Sequence, residues 1–237
     1  MIDTHSHILP GVDDGARTIE DSLGMIEGLA KQGVTDIIAT PHYMLETTFM
    51  HSKHQNQLTL DNLKGELKKR GISVNLHLGN EIYISKSILE LVKNGDISTL
   101  AGSNYLLIEL PLSGEYANRE DIFQEIINAG YHVVLAHPER YTFFQDNYTL
   151  LDDLAEMGVL FQCNIGSILG QYGTEAQKMV SYMAKEGLIF MFGSDIHRPR
   201  KGNEIVLAQK KLRKVMNERA MIQAFVVNPR KIIYSGL

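Results

Sequence analysis

Only one cysteine, Cys163, occurs in the 237 residues, so no disulfide can form within a chain and a reducing compartment is expected. There is no block of lysines and arginines and no basic stripe, and the formal charge is a mild −5. Nucleic acid and anionic membrane surfaces are therefore set aside as main partners. No uninterrupted apolar run approaches the ~18 residues of a spanning helix, and no charged start leads into an apolar stretch. No membrane insertion and a cytoplasmic location are the expectations. Low-complexity tracts and linker-like shifts in composition are also missing, so residues 1–237 read as one domain.

What the chain does have is a core-building composition, 44% hydrophobic against 22% charged. Its length is near the roughly 250 residues of a single α/β barrel. One local phrase recurs: an amphipathic helix, a glycine, then a short apolar run. Gly33 precedes residues 34–40, Gly71 precedes 72–78, Gly130 precedes 131–135, Gly158 precedes 159–162 and Gly187 precedes 188–192. Glycine closes a helix in the left-handed conformation because it has no Cβ to clash. An apolar run with little alternation then suits a parallel strand covered on both faces. Thr18 with Asp21, Asn118 with Asp121, and Thr174 with Gln177 carry the N-cap pattern. Leu23, Ile26 and Ala30, like Ala176, Met179, Val180 and Met183, recur at helical spacing and read as core stripes. With strands at 2–5 and 105–108 added, about seven strands alternate with helices. Right-handed connections make these either an open doubly wound sheet or a barrel.

The polar residues decide between the two. The first strand ends in His5-Ser6-His7, with Asp13-Asp14 on the turn beyond. The next four end in Pro41-His42, Gly79-Asn80-Glu81, Glu109 and His137-Pro138-Glu139-Arg140, and the last in Asp195-Ile196-His197. An open sheet gathers ligands at one switch point from two or three strand ends, whereas a closed barrel gathers every strand's C-terminus around one axis. Six ligand-bearing ends favour the barrel. Each piece alone has a bland reading: His-x-His is often a packing pair, Glu109 a solvated strand end, Asp195 a helix cap. Their coincidence at matching positions makes a metal site the better reading.

His5, His7, Asp14, His42, Glu81, Glu109, His137, Asp195 and His197 are too many ligands for one ion, so two or three divalent ions sharing carboxylates are expected. Imidazole with carboxylate and no thiolate suits Mn, Fe or Zn. Adjacent ions lower the pKa of a shared water and stabilise charge in a displacement. Arg140 sits at the barrel mouth, where a guanidinium would hold phosphate oxygens; pairing with Glu139 is its plain alternative. Arg198 and Arg200 form a second cationic cluster at the same rim. A phosphate ester is the substrate class these cations suggest. His51, His54, His77 and His132 receive no role.

These motifs resemble the polymerase-and-histidinol-phosphatase (PHP) superfamily over essentially the whole chain. Residues 3–16, with Ala39-Thr40-Pro41-His42 and Leu135-Ala136-His137-Pro138-Glu139-Arg140-Tyr141, are most similar to the bacterial capsule-biosynthesis tyrosine phosphatases. The resemblance implies a distorted seven-stranded βα barrel, a (β/α)7 TIM-like fold, with a manganese-dependent trinuclear centre. It also implies removal of phosphate from the tyrosine-rich tail of an autokinase that controls polysaccharide export. His5, His7, His42, Glu81, Glu109, His137, Asp195 and His197 match the family's ligand pattern. Asp14 falls where many relatives carry another ligand, often histidine. Arg140 matches the phosphate-binding arginine, while Arg198-Pro199-Arg200 aligns with no fixed pattern. Arg140, Asp14 and Arg200 are the catalytic candidates.

Cys163 supplies an independent constraint. A cysteine-based phosphatase needs Cys-x5-Arg, and Leu169 stands at the arginine position. Tyrosine dephosphorylation by this chain would have to be metal-dependent. Two alternatives are a small-molecule phosphomonoesterase such as histidinol phosphatase, and a non-catalytic metal-stabilised scaffold that binds a kinase. Loops 43–55 and 141–148 would set substrate breadth, with Tyr43, Phe49, Tyr141, Phe143 and Phe144 available to stack on a phenyl ring or to pack. The helix over 18–32 leaves an oligomer open, although its apolar stripe is already accounted for by the barrel.

Overall fold

The computed structural model describes residues 1–114, 116–200 and 202–235. Among these described residues nine strand segments occur: β1 (Ile2–Ser6), β2 (Asp36–Ala39), β3 (His42–Tyr43), β4 (Asn75–Leu78), β5 (Glu81–Tyr83), β6 (Tyr105–Glu109), β7 (His132–Ala136), β8 (Leu160–Asn164) and β9 (Ile189–Gly193). All pair in parallel, in the orders β1-β2-β4 and β3-β5-β6-β7-β8-β9.

Two of the seven strands are broken, which explains the count of nine. β2 runs into β3 across Thr40-Pro41, and β4 into β5 across Gly79-Asn80. Proline has no N–H to give the ladder, so pairing stops there. Asn80 repairs the gap: its Nδ2 donates to the Pro41 carbonyl at 3.0 Å, and its Oδ1 accepts from Ser98 N at 2.8 Å. The ring closes between β9 and β1 through side chains and a single bridge, Ser6 to Ile196. Thr4 Oγ1 donates to the Phe192 carbonyl at 2.9 Å, and the Asp3 carboxylate accepts from Ser194 N at 2.8 Å and Ser194 Oγ at 2.6 Å. The result is a distorted seven-stranded parallel barrel.

Its packing has two layers. Ile37, Leu106, Ile108, Val133, Leu135, Phe161 and Phe192 face outward onto the helices. Ile2, Ile38, Leu107, Val134, Ala136 and Met191 fill the barrel interior, where Ile232 and Ile233 of the helix Asn228–Ser235 pack against them. Apolar filling therefore occupies one end of the axis, and the polar strand ends occupy the other. The five glycines of the repeated phrase all take positive φ, from 68° at Gly71 to 99° at Gly158. Thr18 forms a full capping box with Asp21, as its spacing predicts. Asn118 precedes its helix without a side-chain cap, and Thr174 is already helical, with Gly173 before it. A second capping box, Ser52 with Gln55, starts the helix Lys53–Arg70. Among the described residues no helix is long and apolar enough to cross a membrane.

Candidate metal centre

All nine metal-ligand candidates come together at the carboxyl ends of the strands. Parallel register sets His42 beside Glu81 and Tyr83 beside Glu109, so one step along the ring carries a carboxylate from each strand to the axis. Glu81 is the hub. Its Oε2 lies 3.1 Å from His5 Nε2, 3.3 Å from His7 Nε2 and 3.1 Å from His42 Nδ1, while its Oε1 meets His137 Nε2 at 2.9 Å. Glu109 approaches His42 Nδ1 at 3.7 Å and His137 Nε2 at 3.8 Å. Asp195 Oδ1 lies 3.6 Å from His5 Nε2 and 3.4 Å from both His7 Nε2 and His197 Nδ1. At the rim, Asp14 Oδ1 reaches His197 Nε2 at 3.3 Å and His42 Nε2 at 3.6 Å.

Three overlapping groups have donor atoms within 4.8 Å of one another: His5, His7 and Glu81; His42, Glu81 and Glu109; and His7, Asp14, His42 and His197. His7, His42 and Glu81 are shared between groups, as expected of ligands serving adjacent ions. The donor chemistry fits divalent cations. His5 Nδ1 is occupied by Gln162 Oε1 at 2.8 Å and His7 Nδ1 by Asp13 Oδ2 at 2.7 Å. Their Nε2 atoms are left facing each other at 3.1 Å. Two imidazole nitrogens so placed can share one proton at most, but both can donate lone pairs to metal. Glu81 Oε2 is buried and makes no hydrogen bond.

Charge balance tells the same story. Burial opposes protonation of His5, yet Glu81 and Asp195 outweigh it and push the imidazole up to about 9. Burial likewise opposes charge on His7, and Asp13 overcomes it, holding the ring well above its ordinary value. Glu109 is driven up to about 9 by burial and by the charge of Glu81. Two carboxylates that cannot both ionise beside each other make a site suited to cations. Asp14, partly exposed, is held down to about 2 by its hydrogen bond with His197.

Two ligand candidates also sit in unusual backbone. His137 has φ 34° and Asp195 φ 49°, left-handed values that cost a non-glycine residue energy and cluster at functional sites. Gly193, two residues before Asp195, has no room for a side chain: a Cβ there would lie 2.5 Å from His5 Cβ.

The arginines divide. Arg140 Nη1 donates to Asp195 Oδ2 at 2.9 Å, and its guanidinium lies 4.4 Å above the Tyr172 ring. Arg198 donates to the carbonyls of Asp14, Gly15 and His197, bracing the turn that carries Asp14. Arg200 engages Gln171 Oε1 at 2.8 Å and Glu204 Oε2 at 3.3 Å and also bonds Tyr172, the ring under Arg140; among the described residues it makes no ion pair with a ligand candidate. Of the aromatic candidates, Tyr43, Tyr141, Phe143 and Phe144 are buried packing residues; Tyr141 Oη is tied to the Ala136 carbonyl at 2.8 Å. Phe49, half-buried, stacks on His42 with ring centres 5.7 Å apart. Asp13, Gln162 and Asn164 contact ligands directly but were not among the sequence candidates. Gln162 and Asn164 had a visible signal, polar residues at period two in an otherwise apolar strand.

A parallel barrel with histidines and carboxylates converging at its strand ends gives the chain the fold of PHP-type and amidohydrolase-type barrel structures. The same fold is seen in histidinol phosphate phosphatase from Lactococcus lactis, at a TM-score of 0.60 and 14% identity over 92% of this chain and 93% of that one. Within that class, the chain belongs to the CpsB/CapC family of capsular polysaccharide synthesis, which matches residues 1–234. Among its relatives, CapC of Staphylococcus aureus is 34% identical, covering 83% of this chain and 77% of that protein. The tyrosine-protein phosphatase YwqE of Bacillus subtilis is 32% identical, covering 86% of this chain and 80% of its own. A crystal structure from work on YwqE and on CpsB of Streptococcus pneumoniae, described as metal-dependent tyrosine phosphatases, superposes at a TM-score of 0.86 with 29% identity. That match covers 99% of this chain and 95% of the other.

Proposed function

We propose that this chain, acting as one domain over residues 1–237, is a metal-dependent protein-tyrosine phosphatase of capsule synthesis. Its substrate would be the phosphotyrosine tail of a cytoplasmic tyrosine kinase in polysaccharide export. The observation that carries this reading is the convergence of nine imidazoles and carboxylates beside the Arg140 guanidinium at one barrel mouth. When bound, two or three divalent ions, manganese first with iron or zinc as substitutes, would supply a water-derived nucleophile at neutral pH and offset phosphoryl charge.

The chain's own residues supply the rest. His5, His7, Glu81 and Asp195 would form the deep ligand set, His42, Glu109 and His137 a second, and Asp14 with His42 and His197 the outer one. Arg140, pinned by Asp195 and stacked on Tyr172, is oriented to receive phosphate oxygens without reorganising. Asp14, ionised well below neutral pH, acts as ligand and acceptor, not as proton donor. A phenolate leaving group, with a reference pKa of about 10, needs less protonation than an alkoxide. Phe49 beside His42 offers an aromatic wall for that phenyl ring. Initial rates on a phosphotyrosine peptide and on histidinol phosphate, each with Mn²⁺ and with chelator, test the reading. Metal-dependent turnover favouring the peptide supports it. A preference for histidinol phosphate assigns a small-molecule phosphatase, and no turnover leaves a binding scaffold.

A further inference from the structure

Six of the seven strands end in candidate ligands; β8 does not. It contributes Gln162 and Asn164, both completely buried and both directed into the barrel. Gln162 Oε1 meets His5 Nδ1 at 2.8 Å, Gln162 Nε2 donates to Asn164 Oδ1 at 2.9 Å, and Asn164 Nδ2 donates to Asp195 Oδ2 at 2.7 Å. Resting on the metal-centre reading above, we propose that Gln162 and Asn164 form a polar relay that positions His5 and Asp195 as metal ligands.

The direction of the relay follows from what each atom can do. An ionised Asp195 only accepts, so Asn164 must present its NH₂ to it and its carbonyl to Gln162. Gln162 must then present its NH₂ to Asn164 and its carbonyl to His5. A carbonyl can only accept, so His5 must keep a hydrogen on Nδ1, which leaves Nε2, facing Glu81 and His7, as the nitrogen available to a metal. One chain of two amides thus fixes the imidazole tautomer on β1 and the carboxylate rotamer just beyond β9. These are the two strands whose ladder is nearly absent at the ring closure. The relay is anchored from outside the barrel. Glu139 Oε1 accepts from Asn164 N and from Ser167 Oγ, each at 2.7 Å, and so holds the end of β8. Gly193 lets the relay lie close: a Cβ there would stand 2.9 Å from Gln162 Nε2.

The test is a Mn²⁺ titration of the full chain, with free Mn²⁺ read by electron paramagnetic resonance, alongside kcat and KM on a phosphotyrosine peptide. Gln162→Leu and Asn164→Ala are expected to weaken Mn²⁺ binding about 10–100-fold and to lower kcat more than they raise KM. Gln162→Glu keeps an acceptor for His5 and loses the donor to Asn164, so its affinity should lie between wild type and Gln162→Leu. Thr4→Val removes another buried hydrogen bond at the same closure without touching a ligand, and serves as the folding control. Wild-type affinity in Gln162→Leu and Asn164→Ala, or an equal loss in Thr4→Val, overturns the relay. A wild-type chain that binds no Mn²⁺ overturns the metal centre itself, and the relay with it.

Discussion

The centre has an inner and an outer half, built differently. His5, His7, Glu81, His137 and Asp195 are 0–2% exposed, and three of the five, His5, His7 and Asp195, are also held by a residue outside the ligand set: Gln162, Asp13 and Asn164. Asp14 and His197 stand 54% and 29% exposed at the rim, braced by Arg198 through backbone carbonyls. The inner half is closed to water, and contacts from Gln162, Asp13 and Asn164 orient its donor atoms toward one another. The outer half keeps contact with water, where a substrate phosphate can enter and an ion can exchange. Distance beyond the strand end tracks the difference: the inner candidates lie on strands or within two residues of one, whereas His197 lies four residues past β9 and Asp14 eight past β1.

If that contrast holds, damage should be graded. Glu81→Gln removes the carboxylate common to two of the three ligand groups and should cost the most. Loss of at least roughly 10³-fold in kcat is expected, the upper range for deleting one electrostatic group, with fewer ions bound by mass spectrometry under native conditions. Arg140→Ala should lower kcat/KM by about 10²-fold with ion content unchanged. Arg140→Lys should not restore it, because a point charge cannot reproduce the planar fork. Asp14→Asn should lose activity at micromolar Mn²⁺ and regain much of it at millimolar Mn²⁺, since only the outer half is weakened. If Asp14→Asn is as severe as Glu81→Gln at every concentration, the two halves are not distinct. Arg200→Ala, already engaged by Gln171 and Glu204, should change kcat/KM by less than about threefold, about 0.7 kcal/mol.

Smallest of all is the expected effect of Cys163→Ser. The thiol is fully buried, and burial pushes it well above its ordinary value, so the nucleophilic thiolate is suppressed. Activity should be retained, and the native thiol should resist iodoacetamide at pH 8. Rapid labelling with loss of turnover would reopen a cysteine mechanism.

How much of this could be read from the chain follows the same division. Ligands at strand ends are legible because the strand pattern itself gives their position. His5, His42, Glu81, Glu109, His137 and Asp195 each close an apolar run. Asp14 lies on a turn beyond the first strand, so its candidacy came from following His5-Ser6-His7 and not from closing an apolar run, and relatives often carry histidine at its position. Gln162, Asn164 and Asp13 went unassigned because their roles are hydrogen bonds to residues up to 157 positions away, and no local pattern encodes the partner. The breaks at Pro41 and Gly79-Asn80 were written in the sequence, but that they fall side by side depends on register. The reading of Thr174 as a cap failed because glycine can start a helix just as well when its φ is positive. Four of the five aromatics near the mouth are buried in the core, and Tyr141 among them finds two backbone partners there.

The most direct test of the graded centre is the anomalous scattering of a crystal grown with Mn²⁺. Two or three peaks are expected within the ring of nine side chains, near the donor groups that share Glu81. The outer peak, between Asp14, His42 and His197, should fade first as Mn²⁺ is withdrawn. A single ion, or ions lying outside the ring of nine side chains, would contradict the account.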